Sequence, residues 1–301
     1  METRNKQPYV SPAGGEQETG LLGDVAAEQR SVVSWGHVER SAALPEVEAA
    51  IAAARAAIAA CPACKGKGWL RKGDFPYGHP DFGKIEKCAC LLAVERAKRR
   101  RDIMKLSSLG EVREKSFRSF NTRIPGVQQA AKAASAYAKN PDGWLVLLGP
   151  VGCGKTHLAA AIANACFDKL DMEVLFVTVA DLLDHLRATF APTSEVTYDE
   201  QFARMREAEL LVLDDLGAQH ATDWAREKLF QLINFRYNQA NVVDQRTGRR
   251  RAATVVTSNL FDLNGVEERI RSRLRDASMS QVVTFGNEVQ DYRPRNPHKA
   301  S

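Results

Sequence analysis

Gly149-Pro150-Val151-Gly152-Cys153-Gly154-Lys155-Thr156 lies between the apolar run Trp144–Leu148 and the helix-forming segment His157–Cys166. It fits G-x-x-x-x-G-K-[ST], whose glycines let backbone N–H groups curl around phosphate oxygens while the next helix turns its positive end toward them. In that pattern Lys155 reaches the β- and γ-phosphates and Thr156 holds magnesium. A second apolar run, Leu210-Leu211-Val212-Leu213-Asp214-Asp215-Leu216-Gly217, reads as a buried parallel strand that delivers carboxylates to its C-terminal edge, where open α/β sheets place their ligands. Asp214 is then the magnesium-side carboxylate, and Asp215 is placed to polarise water. Both segments point to a nucleoside triphosphate with magnesium.

Outward from this centre, the chain from about Ser107 alternates apolar runs with amphipathic stretches. Strands are expected at Trp144–Leu148, Val174–Val179, Leu210–Leu213, Thr254–Thr257 and Gln281–Phe285, the pattern of a doubly wound parallel α/β sheet. Thr257-Ser258-Asn259 ends one of these strands at the same edge, where Asn259 can position the attacking water. The run Glu267–Arg275 sets Arg269, Arg271, Arg273 and Arg275 on a helix. One of them can serve a neighbouring subunit's nucleotide as an arginine finger, or all can lace a surface helix with salt bridges.

Ahead of the core, residues 1 to about 42 mix Gly, Pro, Ser, Glu and Gln without periodicity and read as a tail. Pro45–Ala60 is strongly helix-forming and runs into Cys61-Pro62-Ala63-Cys64, which Cys88-Ala89-Cys90 answers after 23 residues. Cys61, Cys64, Cys88 and Cys90 can close a tetrahedral zinc site, and the metal supplies folding energy that so short a segment lacks. His79 is the alternative to Cys90. A thioredoxin-like redox pair lacks the required strand-turn-helix context. Leu91–Leu106 reads as a basic helix whose Lys98–Arg101 run is either a solvated face or a contact with nucleic acid or an acidic partner. The expected domains are thus a tail (1–42), a helix with zinc-binding module and basic linker helix (43–106), and a nucleotide-binding domain (107–301).

In this order the motifs resemble the AAA+ ATPases of the DnaC/DnaI helicase-loader and IstB type. The likeness covers roughly residues 107–295, through Phe117–Phe120, the phosphate loop, Phe176–Leu183, the LLVLDDLG run, Trp224–Asn234, Thr257-Ser258-Asn259 and Glu268–Asp276. It implies an AAA+ P-loop NTPase core, ATP hydrolysis, Asn259 as sensor 1, Arg273 as the arginine finger, and Arg293 beside Tyr292 as a sensor 2 arginine. The cysteine-rich front end looks like the zinc-bearing domain with which DnaI-like loaders bind the replicative helicase. The implied partners are a hexameric replicative helicase, single-stranded DNA and further copies of the chain. DNA contacts are expected at Thr222 and Trp224, with Arg246, Arg249, Arg250 and Arg251 adding phosphate attraction; a Trp at a helix start equally suits packing on its own core.

Three departures stand out. Asp215 replaces the glutamate of many AAA+ ATPases, which implies slow hydrolysis, and Asn241–Ala253 looks like an insertion. About fifteen residues follow Phe285, too few for a helical lid. Net charge +5 with 26% charged and 44% apolar residues permits an acidic partner without demanding one. No apolar run is long enough for a membrane helix, Met1–Gln7 lacks a secretory core, and six cysteines in this pattern suit metal ligation in a reducing cytoplasm.

Overall fold

The structure, a computed structural model, describes residues 44–190, 196–217, 222–244, 248–286, 288–289 and 291. The tail, Arg246, Tyr292 and Arg293 lie outside the described residues. Helix α1 (Leu44–Ala59) buries Val47 and Ile51, one turn apart, and lies along helix α2 (Ala89–Met104). Between the helices, β1 (Trp69–Arg71) and β2 (Ile85–Lys87) form an antiparallel two-stranded ribbon. These strands carry no run of apolar residues, and sequence periodicity gives no sign of them.

After a 3-10 turn (Ser108–Val112) the chain runs α3 (Gln128–Lys139), β3 (Trp144–Leu148), α4 (Lys155–Lys169), β4 (Val174–Thr178), α5 (Val179–Ala188) and α6 (Tyr198–Glu207). It continues through β5 (Leu210–Asp214), α7 (Asp223–Ala240), β6 (Ala253–Ser258), α8 (Glu268–Leu274) and β7 (Ser280–Thr284). The sheet order is β4-β5-β6-β3-β7, every pairing parallel. Helices cover both faces, so every residue of β3, β5 and β6 is buried. That explains why these strands read as unbroken rather than alternating apolar runs. Val179, expected to end a strand, instead begins α5, because the Thr178 side chain accepts a hydrogen bond from the Asp181 N–H and caps the helix there.

The topology positions the site. From β3 the chain leaves through α4 to β4, three places away in the sheet. The C-terminal ends of β3, β5 and β6 therefore face one crevice beside the start of α4, where α/β sheets bind ligands. The opposite edge is closed by Arg236 of α7, fully buried. Its guanidinium donates to the carbonyls of Arg206, Ala208 and Ala253 and to Thr254 Oγ1 at 2.6–3.0 Å.

Candidate nucleotide and metal sites

Gly152 and Gly154 adopt φ of +75° and +103°, a region that side-chain-bearing residues avoid. A Cβ on Gly154 would also stand 2.7 Å from the Phe120 ring. The loop so formed delivers Lys155 to a nearly buried position, where its ammonium donates to the carbonyls of Gly149 (2.9 Å) and Pro150 (2.7 Å) and to Asn259 Oδ1 (2.7 Å). Burial lowers the Lys155 pKa from its usual value. A desolvated cation held by neutral oxygens, with the Cys153 sulfur beside it at 3.8 Å, is a strong partner for phosphate.

Across the crevice Thr156 Oγ1 donates to Asp214 Oδ1 (3.0 Å), and Thr257 Oγ1 donates to the same oxygen (2.6 Å). Burial raises the Asp214 pKa, while these two hydroxyls pull it back. Asp215 sits at φ +59°, with its N–H donated to Thr257 Oγ1 (2.9 Å). Aspartate tolerates this left-handed conformation better than most residues, which gives a local reason for Asp rather than Glu here. Asn259 joins the two sides: its Nδ2 donates to Asp215 Oδ1 at 2.5 Å while its Oδ1 holds Lys155. The cleft encloses about 670 Å³, and Phe120, Asn121, Ile124 and His157 line it beside the loop, a size suited to a nucleotide-class ligand. The motifs contain Thr257 and Phe120 but do not give their roles, the one bonding both aspartates and the other walling the cleft. The hydroxyl in Thr257-Ser258-Asn259 is the one signal available for the former.

The four cysteine sulfurs lie within 4.8 Å of one another, with Cys61–Cys88 at 3.8 Å and Cys64–Cys90 at 3.5 Å. A tetrahedron of thiolates about 2.3 Å from zinc has edges of about 3.8 Å, so the donor set fits that metal. Lys65, Gly66 and Gly68 at positive φ turn the knuckle, and the Gly68 N–H donates to Cys64 Sγ (3.2 Å). Backbone N–H groups of Cys64 and Ala63 hold the Cys61 thiol down to about 7, whereas burial and then the neighbouring sulfurs push Cys90 up to about 12. Gathering thiolates is unfavourable unless a cation sits among them. His79 takes no part: its Nδ1 accepts the Asp81 N–H (3.0 Å) and its ring stacks on Phe75.

The basic helix meets acidic and carbonyl groups of its own chain. Arg96 of α2 donates to the Asp171 carbonyl (2.6 Å), Arg99 pairs with Glu173 (3.1 Å), and Arg100 reaches the Phe167 carbonyl and Asp171 while lying 3.9 Å over the Phe167 ring. Arg101 pairs with Asp102 and faces Glu48 of α1. These arginines fasten α2 to the sheet domain and to α1.

The expected DNA contacts do not form one surface. Thr222 and Trp224 open α7 at the nucleotide edge of the sheet, whereas Arg249, Arg250 and Arg251 precede β6 at the opposite edge, in a hairpin closed by Val243 and Arg250. Arg250 is held by Asp142 and the Ser278 carbonyl, and Arg251 approaches Asp244. Thr222 Oγ1 accepts the Ala225 N–H as a helix cap, and Trp224 packs half-buried against the core under Arg187. Arg273 is half-buried too, donating to the Arg269 carbonyl and to Asn234 Oδ1, each at 2.8 Å, over Phe230 and Tyr237.

A family profile described as IstB-like ATP binding protein matches residues 86–260, a span that includes the phosphate loop, both aspartates and Asn259. The chain belongs to the IstB-like ATP-binding family. Within it, this IstB-like chain is 32% identical over 164 residues to the replicative helicase loader DnaC of Buchnera aphidicola (subsp. Schizaphis graminum), covering 54% of this chain and 61% of that protein. The Escherichia coli K12 DnaC is 30% identical over 174 residues, covering 56% and 66%. The chain thus spans about three fifths of the length of the curated relatives it matches. A crystal structure of the DnaC helicase loader superposes with a TM-score of 0.48 at 21% identity, covering 58% of this chain and 99% of that one. The IstB-like chain has a P-loop core in a parallel α/β sheet, and its family binds ATP. Among the described residues no helix is long and apolar enough to cross a membrane.

Proposed function

We infer that this protein is an ATPase that loads a hexameric replicative helicase onto single-stranded DNA in the cytoplasm. The observation that carries the reading is the unbroken hydrogen-bond path Thr156–Asp214–Thr257–Asp215–Asn259–Lys155 around the cleft, in a chain similar to proteins named replicative helicase loaders. ATP supplies a phosphoryl group whose transfer to water drives release. Lys155 and the loop amides would hold its phosphates, Thr156 and Asp214 would hold magnesium, which would neutralise phosphate charge, and Asp215, oriented by Asn259, would polarise the water. Arg273 acts across a junction between copies of the chain once oligomer formation draws it from Asn234. The four cysteines bind zinc, and the module they close captures the helicase. The sheet domain is a domain of its own from about residue 107, anchored to the cysteine module by α2.

Full-length protein incubated with a replicative helicase and a single-stranded circle tests the reading. ATP-dependent appearance of helicase on the circle, lost in Lys155→Ala, is expected. A second reading, a transposition helper of the IstB type, is favoured by the family description. Recovery of a transposase but no helicase in pull-downs with the full chain would replace the first reading by the second.

A further inference from the structure

The ribbon of the cysteine module has one face that nothing in the described structure covers. Residues two apart on a strand, and those directly opposite them, share a face. The register Trp69↔Lys87 and Arg71↔Ile85 therefore groups Trp69, Arg71, Ile85 and Lys87. All four are exposed, Trp69 at 43% and Ile85 at 65%. Leu70 and Glu86 point the other way, so no ribbon carboxylate shares the face. The cations are engaged only at the rim: Arg71 lies 3.6 Å from a fully solvated Asp74, and Lys87 lies 2.8 Å from Glu95 of α2. Such exposed pairs contribute little and exchange readily for phosphate. The loop joining the strands adds Tyr77, 92% exposed and edge-on to Phe82 at 5.6 Å. The knuckle adds exposed Lys65 and Lys67.

We propose that this face is a second binding site for single-stranded nucleic acid, independent of ATP and separate from any contact made by the sheet domain. The indole of Trp69 and the ring of Tyr77 take unpaired bases by stacking, while Arg71, Lys87, Lys65 and Lys67 take phosphates. A projecting ribbon without a groove reads no base edges, so binding is sequence-tolerant. A duplex hides its base faces and is disfavoured. The cation-and-ring alternation selects a polyanion with flat faces over a protein partner, whose apolar anchors would seek a concave pocket.

Fluorescence anisotropy of full-length protein with a labelled oligothymidine of about 20 nucleotides, without ATP, tests the site in a Lys155→Ala background. Trp69→Ala weakens binding about tenfold or more, and Trp69→Phe restores most of it, since stacking of one base is of that order. Arg71→Ala with Lys87→Ala flattens the salt dependence by a slope of about 1.4, two phosphate contacts on a single strand. Zinc content, measured on each variant, reports whether the module is intact; should Trp69→Ala lose it, the double charge variant decides. Unchanged affinity and salt slope at full zinc content overturn the proposal. Loss of helicase capture with oligonucleotide binding intact also overturns it, and assigns the face to a protein.

Discussion

Around the phosphate loop, β3, β5 and β6 are buried along their whole length, and the functional side chains stand at the ends of a packed sheet. Between Cys61 and Cys90 only Cys64, Gly68 and Cys88 are buried, and Trp69, Tyr77 and Phe82 are exposed. The first region is shaped by apolar burial and would keep its form without a ligand. The second has too little apolar surface inside to offset its chain entropy, so its form depends on what the sulfurs hold. Two sites on one chain thus respond to opposite perturbations.

The largest test of that contrast is removal of metal. Structural zinc in small modules is worth about 10–16 kcal/mol, so chelation, or Cys61→Ser with Cys88→Ser, should open residues 61–90 to protease while calorimetric ATP binding persists. Equal protease resistance with and without metal would break the comparison. Next is Lys155→Ala: losing a buried, hydrogen-bonded charge costs about 2–5 kcal/mol, so ATP affinity should fall about a hundredfold by calorimetry with zinc content unchanged. Third, Arg100→Ala removes charged hydrogen bonds and stacking on Phe167 and should cost about 1.5–3 kcal/mol in denaturant melts; a loss confined to the module would show that α2 is not a shared strut.

A pH dependence sharpens the same junction. Burial raises the Glu173 carboxyl above its ordinary value, with Arg99 pulling it down. A carboxylate whose pKa is raised by folding withdraws stability as pH climbs from its unfolded value, about 4.3, through the raised one. Arg99→Ala should raise it further, so the variant's deficit in denaturation free energy is larger at pH 7 than at pH 4; a deficit equal at both would exclude ionised Glu173 as the partner. The smallest effect is expected for Arg251→Ala, whose exposed approach to Asp244 is worth under about 0.5 kcal/mol, with single-strand affinity by anisotropy unchanged.

Much of the sheet domain was legible because its signals are local. Loop glycines, Lys155 and the aspartate pair are each a few residues from the strand that presents them, and fully buried strands announce themselves as apolar runs. The cysteine spacing likewise foretold a cluster, and the helices at Pro45–Ala60 and Leu91–Leu106 fall within two residues of α1 and α2. What stayed hidden depends on partners far along the chain. The Lys98–Arg101 run reads as a solvated face or an outside contact until Phe167, Asp171 and Glu173 arrive beneath Arg99 and Arg100 from about 70 residues away. Thr222 and Arg249 can be grouped as one contact from sequence, yet α7 carries the chain from one edge of the sheet to the other between them.

Helix α2 carries Cys90 in its first turn and Arg99, Arg100 and Ile103 near its last. Sixteen residues of helix make a rod roughly 24 Å long, and its far end bears both on Glu173 just before β4 and on Phe167 near the end of α4. Torque applied to the sulfur end is therefore delivered to the tail of the helix whose first turn carries Lys155 and Thr156. Whatever pulls on the cysteines also leans on the residues that grip the phosphates.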